Sequence, residues 1–294
     1  MTPTTHAAFI GEEWSDDVLA AVEFAGMIQK KVTREYEGAI TQGGDTVHIA
    51  RVSNLQTSVK ATGVSNTIAF EAITEGEQSL VIDTHEYAAF LLEQITQVQA
   101  NTSLSTKYKS KIGYALARGR EIKLANLFQA LSQSVGAYGV ELTSDDVLQA
   151  WTLMVQAGIV EAASSPGEEF AVFLSAAAYA GLLKIDVFTN RDYNPTADAI
   201  GRAFVGNLYG FPAYVSNLLR SPAANQHDGV LMHRGCFALA VQDMVEVKSQ
   251  WLIRNIADGV VGWNLYGVTE LNYPPETPGG GSALDNRGVL VKCL

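Results

Sequence analysis

The sequence predicts an α+β fold, and three observations carry that expectation. Residues 103–134, SLSTKYKSKIGYALARGREIKLANLFQALSQS, place apolar side chains at helical spacing with no proline to interrupt them. Residues 46–52 alternate with the two-residue period of a strand, as do shorter stretches later in the chain. The apolar run FAVFL at 170–174 leads directly into the alanine-rich SAAAYAGLLK, a strand followed by a helix.

Composition bounds the rest. With 294 residues, 47% of them hydrophobic and 17% charged, the chain can bury a sizeable core. Its length suggests roughly two domains. No run of about 18 apolar residues occurs, and the N-terminal residues lack a basic start followed by an apolar stretch. Neither a membrane span nor secretion is therefore expected, and a reducing cytoplasm fits. Cys236 and Cys293 are too few for a disulfide framework and lack metal-ligand spacing. A net charge of -11 argues against a general nucleic-acid binder, because affinity for phosphate rests on clustered Lys and Arg.

The elements follow in order. Residues 14–31 read as a helix, with Ser15 as N-cap, Asp16 and Asp17 at the positive end of its dipole, and Val18, Val22 and Ala25 at the helical period. A turn at 42–45 leads into the strand at 46–52. Residues 53–77 are polar, with Leu55, Val59, Val64, Ile68, Phe70 and Ile73 thinly spread, and read as a long two-stranded excursion. Each arm would reach about 40 Å, and such a hairpin is marginal alone, so it needs a surface to lie on. The chain returns through 79–83 and EYAAFLLEQIT to the long helix. Leu104, Tyr108, Ile112, Ala115 and Leu116 share one face of that helix, while Lys107, Lys109, Lys111, Arg118, Arg120 and Lys123 stand against Glu121 alone. At 1.5 Å per residue it would be roughly 45 Å long, a strut from which other parts hang. Thr143 or Ser144 caps a second helix that turns Val147, Trp151, Met154 and Val155 inward. Glycines 206 and 210 with Pro212 enforce turns before a strand at 213–219. Strand segments follow at 228–250, and 256–272 supplies another with glycine bends. The tail is loop-like until 289–293.

An ordered set of short stretches then resembles the major capsid (coat) proteins of tailed bacteriophages, with the Hong Kong 97 type fold. These are WSDDVLAAVEFAGMIQKKVTREYEG, GGDTVHIARV, LVIDTHEYAAFLLEQITQVQ, YALARGREIKLANLF, GRAFVGNLYGFPAYVSNLL, GVLMHRGCFALAVQ and DGVVGWNLYGVTEL. Each is a weak signal; their succession matches the family plan. The resemblance implies an N-terminal arm at 1–36 and an extended loop at 53–78. It implies a peripheral domain with the spine helix at 37–52, 79–136 and 244–294, and an axial domain at 137–243. Where relatives often carry aspartates before the spine, this chain has Glu93, Gln94 and Gln97. The implied function is an icosahedral head shell in the virion, built from hexameric and pentameric rings of this chain. The shell would enclose double-stranded DNA without sequence-specific binding, with scaffolding, portal and decoration proteins as further partners and no membrane. An encapsulin-type compartment shell is the alternative within the fold, and an α+β enzyme with a lid hairpin the alternative outside it.

No catalytic, cofactor-binding or metal residue is expected. None of His6, His48, His85, His227 and His233 stands at metal-ligand spacing. Gly201 and Gly206 have phosphate-loop spacing but lack the following Lys and Ser or Thr. The acid pairs Glu12-Glu13, Asp16-Asp17 and Asp145-Asp146 lie at helix starts, where dipole compensation explains them. Lys107, Lys111 and Arg118 share one edge of the spine, to be read as a solvated face or as a contact for an acidic neighbour or nucleic acid. Lys60 invites comparison with capsids that crosslink through a loop lysine, but activation needs burial or a charge partner, so a plain exposed lysine and no covalent linkage are expected.

Overall fold

The computed structural model of the chain describes residues 26–40, 43–52, 57, 59–60, 68, 70, 75–93, 103–156, 169–182, 207–208, 211–272 and 287–293, with the backbone alone at 51–52, 93, 103–110, 207 and 244–246. The expected helix at 14–31 lies outside them except for its last residues, where Ile28–Lys30 forms a single 3-10 turn. The chain divides into two compact units.

The first unit takes its residues from 1–47, 81–126 and 238–269. It is built on a three-stranded sheet, with β3 (Thr84–Glu93) at one edge, β10 (Ala257–Glu270) in the middle and β9 (Phe237–Leu252) beyond. β10 pairs antiparallel with β3 without a break from Ala257↔Glu93 to Tyr266↔Thr84. The spine helix α2 (Ser103–Asn126) packs on one face through Ile112, Leu116 and Ala117, which meet Val247, Val260, Ala88 and Phe90. Burying each large member of this set contributes about 1.5–3 kcal/mol. The glycines of β10 do not bend it, contrary to expectation; they admit neighbours. A Cβ at Gly262 would stand 2.6 Å from Cγ2 of Ile112, so the missing side chain sets how near the helix approaches the sheet. The helix α1 (Glu37–Ile40) follows the N-terminal turn, with Ile40 buried.

The second unit takes its residues from 48–80, 127–237 and 270–294. Its six-stranded sheet runs β4 (Ser134–Gly136), β11 (Gly288–Cys293), β8 (His227–His233), β5 (Phe170–Leu174), β7 (Phe211–Val215), β6 (Asn207–Leu208). β11 is parallel to β4 and antiparallel to β8; β5 is antiparallel to β8 and parallel to β7. All five residues of β5 are buried, as its unbroken apolar run predicts for an interior strand. One face is covered by α3 (Ser144–Gln156) and α4 (Ala176–Leu182), whose Val147, Met154, Ala178 and Leu182 join Phe170, Val172, Leu231, Val289 and Val291. Thr143 caps α3 as expected: its hydroxyl accepts from the Asp146 amide at 3.3 Å, and Asp146 accepts from the Thr143 amide at 2.9 Å. Trp151 wedges against Phe211 and Phe170, with ring centroids at 4.7 and 6.1 Å, but Val155 faces outward and not inward.

One further expectation is corrected. The spine stops at Asn126, continues as a 3-10 turn over Leu127–Ala130, and gives way to β4, so it is about 36 Å long at 1.5 Å per residue. Pairing with β11 and the left-handed Gly136, at φ +72°, override the helical period there. Gly288–Cys293 lies second in the six-stranded sheet, where its alternating Val289 and Val291 enter that core.

Candidate assembly surfaces

The polar excursion begins from a two-stranded ladder of β1 (Thr46–Val52) and β2 (Glu75–Val81). Asp45 accepts from the Ile82 amide at 2.7 Å, and His48 meets Glu77 further along, so the strands run in opposite directions. Most of 53–74 lies outside the described residues. Of those described, Val59 is 100% exposed, Phe70 95% and Ile68 61%, each large and apolar. A side chain like Phe70 offers about 1.5–3 kcal/mol when buried, and here the chain leaves that unspent.

A second apolar surface lies on the sheet of the first unit. Even-numbered residues of β3 turn toward the spine, so the odd ones turn away, leaving Tyr87 73% and Leu91 52% exposed. Register sets Tyr87 beside Trp263 and Ala89 beside Val261 on β10. The Lys248 ammonium stands 5.1 Å from the Trp263 ring centroid, a cation–π contact at the border of this patch. The result is an aromatic and aliphatic sheet face with a basic rim.

The N-terminal segment is held to the spine by a buried acid. Glu121 is 3% exposed, and both its oxygens accept from the Ile28 amide, at 3.0 and 3.1 Å. The amides of Gln29 and Met27 also favour its charged form, as does Arg120, yet burial outweighs them and pushes the carboxyl up to about 7. Gln29 donates to the Ala117 carbonyl at 3.1 Å, and Ile28 and Val32 are buried beside it. Thr33 then accepts from the Leu239 amide at 3.0 Å. The sequence shows Glu121 as the one acid among the spine's bases, but not that it is buried.

In the second unit a buried aspartate ties three segments together. Asp228, 0% exposed, accepts from the Tyr138 hydroxyl at 2.6 Å, from Gln129 at 3.3 Å and from Arg220 at 3.3 Å. Burial and this bond push the Tyr138 phenol up to about 12. No sequence pattern announced this cluster.

Among the described residues, those singled out in the sequence are not brought together. Lys60 is exposed. His85 faces outward, and His233 accepts from the Gly235 amide at 3.1 Å while its other ring nitrogen faces Glu169 at 3.4 Å. Burial, then Arg287, pull the His233 ring below its usual range. Among the described residues no three His, Cys, Asp or Glu side chains group as metal ligands do, and no helix is long and apolar enough to cross a membrane. Cys236 and Cys293 are both buried and unbridged; burial pushes the Cys293 thiol up to about 11. Asp146 serves its helix cap. Glu12, Glu13, Asp16, Asp17, Gly201 and Gly206 lie outside the described residues, as do the side chains of Lys107 and Lys109.

No sequence-family model and no curated protein matches the chain. Solved structures do. A chain from Mycobacterium phage Che8 superposes with a TM-score of 0.70 at 22% identity, covering 90% of each chain. The chain therefore has the Hong Kong 97 type capsid fold. The mature capsid of bacteriophage PhiM1 gives a TM-score of 0.63 at 16% identity over 85% of this chain and 82% of that one. A virus-like particle from Pyrococcus furiosus gives 0.57 at 12% identity over 96% and 99%.

Proposed function

We propose that this chain is a major capsid protein that assembles, without catalysis, into the icosahedral head of a tailed phage. The observation that carries the proposal is the match to phage capsid structures over most of both chains, 85% and 82% for the PhiM1 mature capsid and 89% and 86% for the capsid of Ralstonia phage GP4. A chain sharing only a domain with a shell protein would be covered over a much smaller share. The mechanism is geometric. Heterologous contacts between copies close into six- and five-membered rings. The loop carrying Val59, Ile68 and Phe70 overlaps a neighbour, and the outward face of Tyr87, Leu91 and Trp263 offers apolar surface for it. Each monomer thus leaves exposed on its loop what the assembly buries. In this reading packaged DNA is enclosed without sequence-specific binding, scaffolding, portal and decoration proteins are partners at other stages, and the protein resides in the virion after assembly in the bacterial cytoplasm.

Electron microscopy of the purified protein, alone and co-expressed with the neighbouring genes, tests this. Closed shells or rings are expected; a monodisperse monomer under every condition of salt and concentration overturns it. The match to the Pyrococcus furiosus particle supports a second reading, a compartment shell enclosing protein. The contents of isolated particles separate the two: DNA for the head, a cargo protein for the compartment.

A further inference from the structure

The seam between α2 and its sheet is apolar at one end and polar at the other. Val260 of β10 and Ala88 and Phe90 of β3 face the spine, so the alternation of a strand turns Asn264, Tyr266 and Glu86 to the same side. Register sets Asn264 directly beside Glu86. On the helix, Gly119 brings the backbone so near that an added Cβ would collide with Oε2 of Glu86, and the next residue is Arg120. Burial, then Arg34, pull the Arg120 guanidinium below its usual range, and Tyr266 and Glu86 stand near enough to oppose this. Polar side chains from three elements thus meet inside the first unit.

Their hydrogen bonds do not close. Asn264 is fully buried, and neither its Oδ1 nor its Nδ2 meets a partner among the described residues; nor does Nε of Arg120, which is 5% exposed. The buried Tyr266 hydroxyl faces Glu86 without the geometry of a hydrogen bond, while burial, then Glu86, pushes the phenol above its usual range and keeps the O–H protonated. A buried amide or guanidinium N–H without a partner is expensive, and folds that gather several such groups in one place satisfy them with water. The donors and acceptors fit water better than an ion. The Arg120 and Asn264 N–H groups only donate, Asn264 Oδ1 and the Glu86 carboxylate only accept, and the Tyr266 hydroxyl does either. Arg120 opposes a cation and Glu86 an anion, whereas water donates twice and accepts twice.

We propose that Arg120, Asn264, Tyr266 and Glu86 hold ordered water between the spine helix and the middle strand, so that a hydrated polar bridge joins α2 to β10 at this end of the seam. The water accepts from the Arg120 Nε–H, donates to Asn264 Oδ1, and gives its second proton to Tyr266 or Glu86. The site lies within a single chain, so its test does not depend on shell formation. The assay is oxygen-17 magnetic relaxation dispersion on the full-length protein, whose amplitude counts the water molecules held for longer than the protein takes to tumble. Asn264→Leu, similar in shape but apolar, should remove at least one such water from the wild-type count, and Asn255→Leu, at an exposed turn, should remove none. If Asn264→Leu loses its thermal transition, Asn264→Val should show the same loss of water, because a gap lined by apolar groups stays dry. An unchanged count in a folded Asn264 variant, or an equal fall with Asn255→Leu, overturns the proposal. Chloride-35 line broadening that the Asn264 variants abolish would assign the site to an anion and overturn it equally.

Discussion

Replacing Glu121 by Gln should remove a pH dependence that the wild-type chain carries. The carboxyl is raised from 4.5 to about 7, with burial the largest cause. A folded value above the unfolded one means that the native state holds its proton more tightly, so the contribution is fully present below about pH 4.5 and is lost as pH rises through about 7. The whole span corresponds to about 3 kcal/mol at 1.36 kcal/mol per pH unit, and most of it falls between pH 5 and pH 8. For 294 residues unfolding together, the entropy at the midpoint is about 0.6 kcal/mol/K, so the effect on Tm is about 4 °C. The assay is thermal unfolding of unassembled wild-type and Glu121→Gln protein at pH 5, 6, 7 and 8. Other titrating groups cancel in the difference. Tm of the wild type minus that of the variant should fall by about 4 °C from pH 5 to pH 8. A constant difference, or a wild type that gains on the variant with rising pH, would refute the reasoning and show that the amides of Met27, Ile28 and Gln29 outweigh burial.

Other consequences follow from single contacts. Gly267→Ala would drive a Cβ into the backbone carbonyl of Val81, which cannot rotate away, and should cost about 2–4 kcal/mol in chemical denaturation, whereas Gly76→Ala, with nothing within 4 Å, should stay within about 0.5 kcal/mol. Tyr138→Phe removes the 2.6 Å bond to fully buried Asp228 and should destabilise by about 1–3 kcal/mol, measured the same way. Val59→Ser with Phe70→Ser should leave the subunit's Tm within about 1 °C, because neither side chain is buried, while the yield of closed shells in micrographs falls several-fold.

The sequence was legible where one signal dominated. The FAVFL strand, the Thr143 cap and the spine's apolar stripe rest on local patterns that the fold keeps. β3 was missed because Ala88 and Phe90 face the spine while Tyr87, Ala89 and Leu91 face away, so both faces are apolar and no alternation shows. The glycines of β10 looked like bends because sequence cannot distinguish a glycine required by its own φ from one required by a neighbour such as Ile112. The end of the spine was set by β11, more than 150 residues on, through pairs such as Val291↔Val135. Asp228 and Glu121 were invisible as buried groups for the same reason: their partners Tyr138 and Ile28 lie 90 and 93 residues away.

The exposed apolar residues bear on why the shell reading is preferred to that of a lidded enzyme. A lid closes on its own chain and can leave its apolar side chains covered when shut. Val59 and Phe70 are all but fully exposed, although the same chain buries Phe128, Phe170, Phe173 and Phe237 almost completely. Burying such a side chain is worth about 1.5–3 kcal/mol, whereas ordering a loop of about 20 residues costs roughly 1 to 2 kcal/mol per residue. A handful of apolar contacts cannot offset that cost, so the loop also needs backbone partners and a broad surface. Another copy can supply both, and by symmetry every copy gives what it receives. The loop's exposed side chains therefore make energetic sense in a closed assembly of many copies.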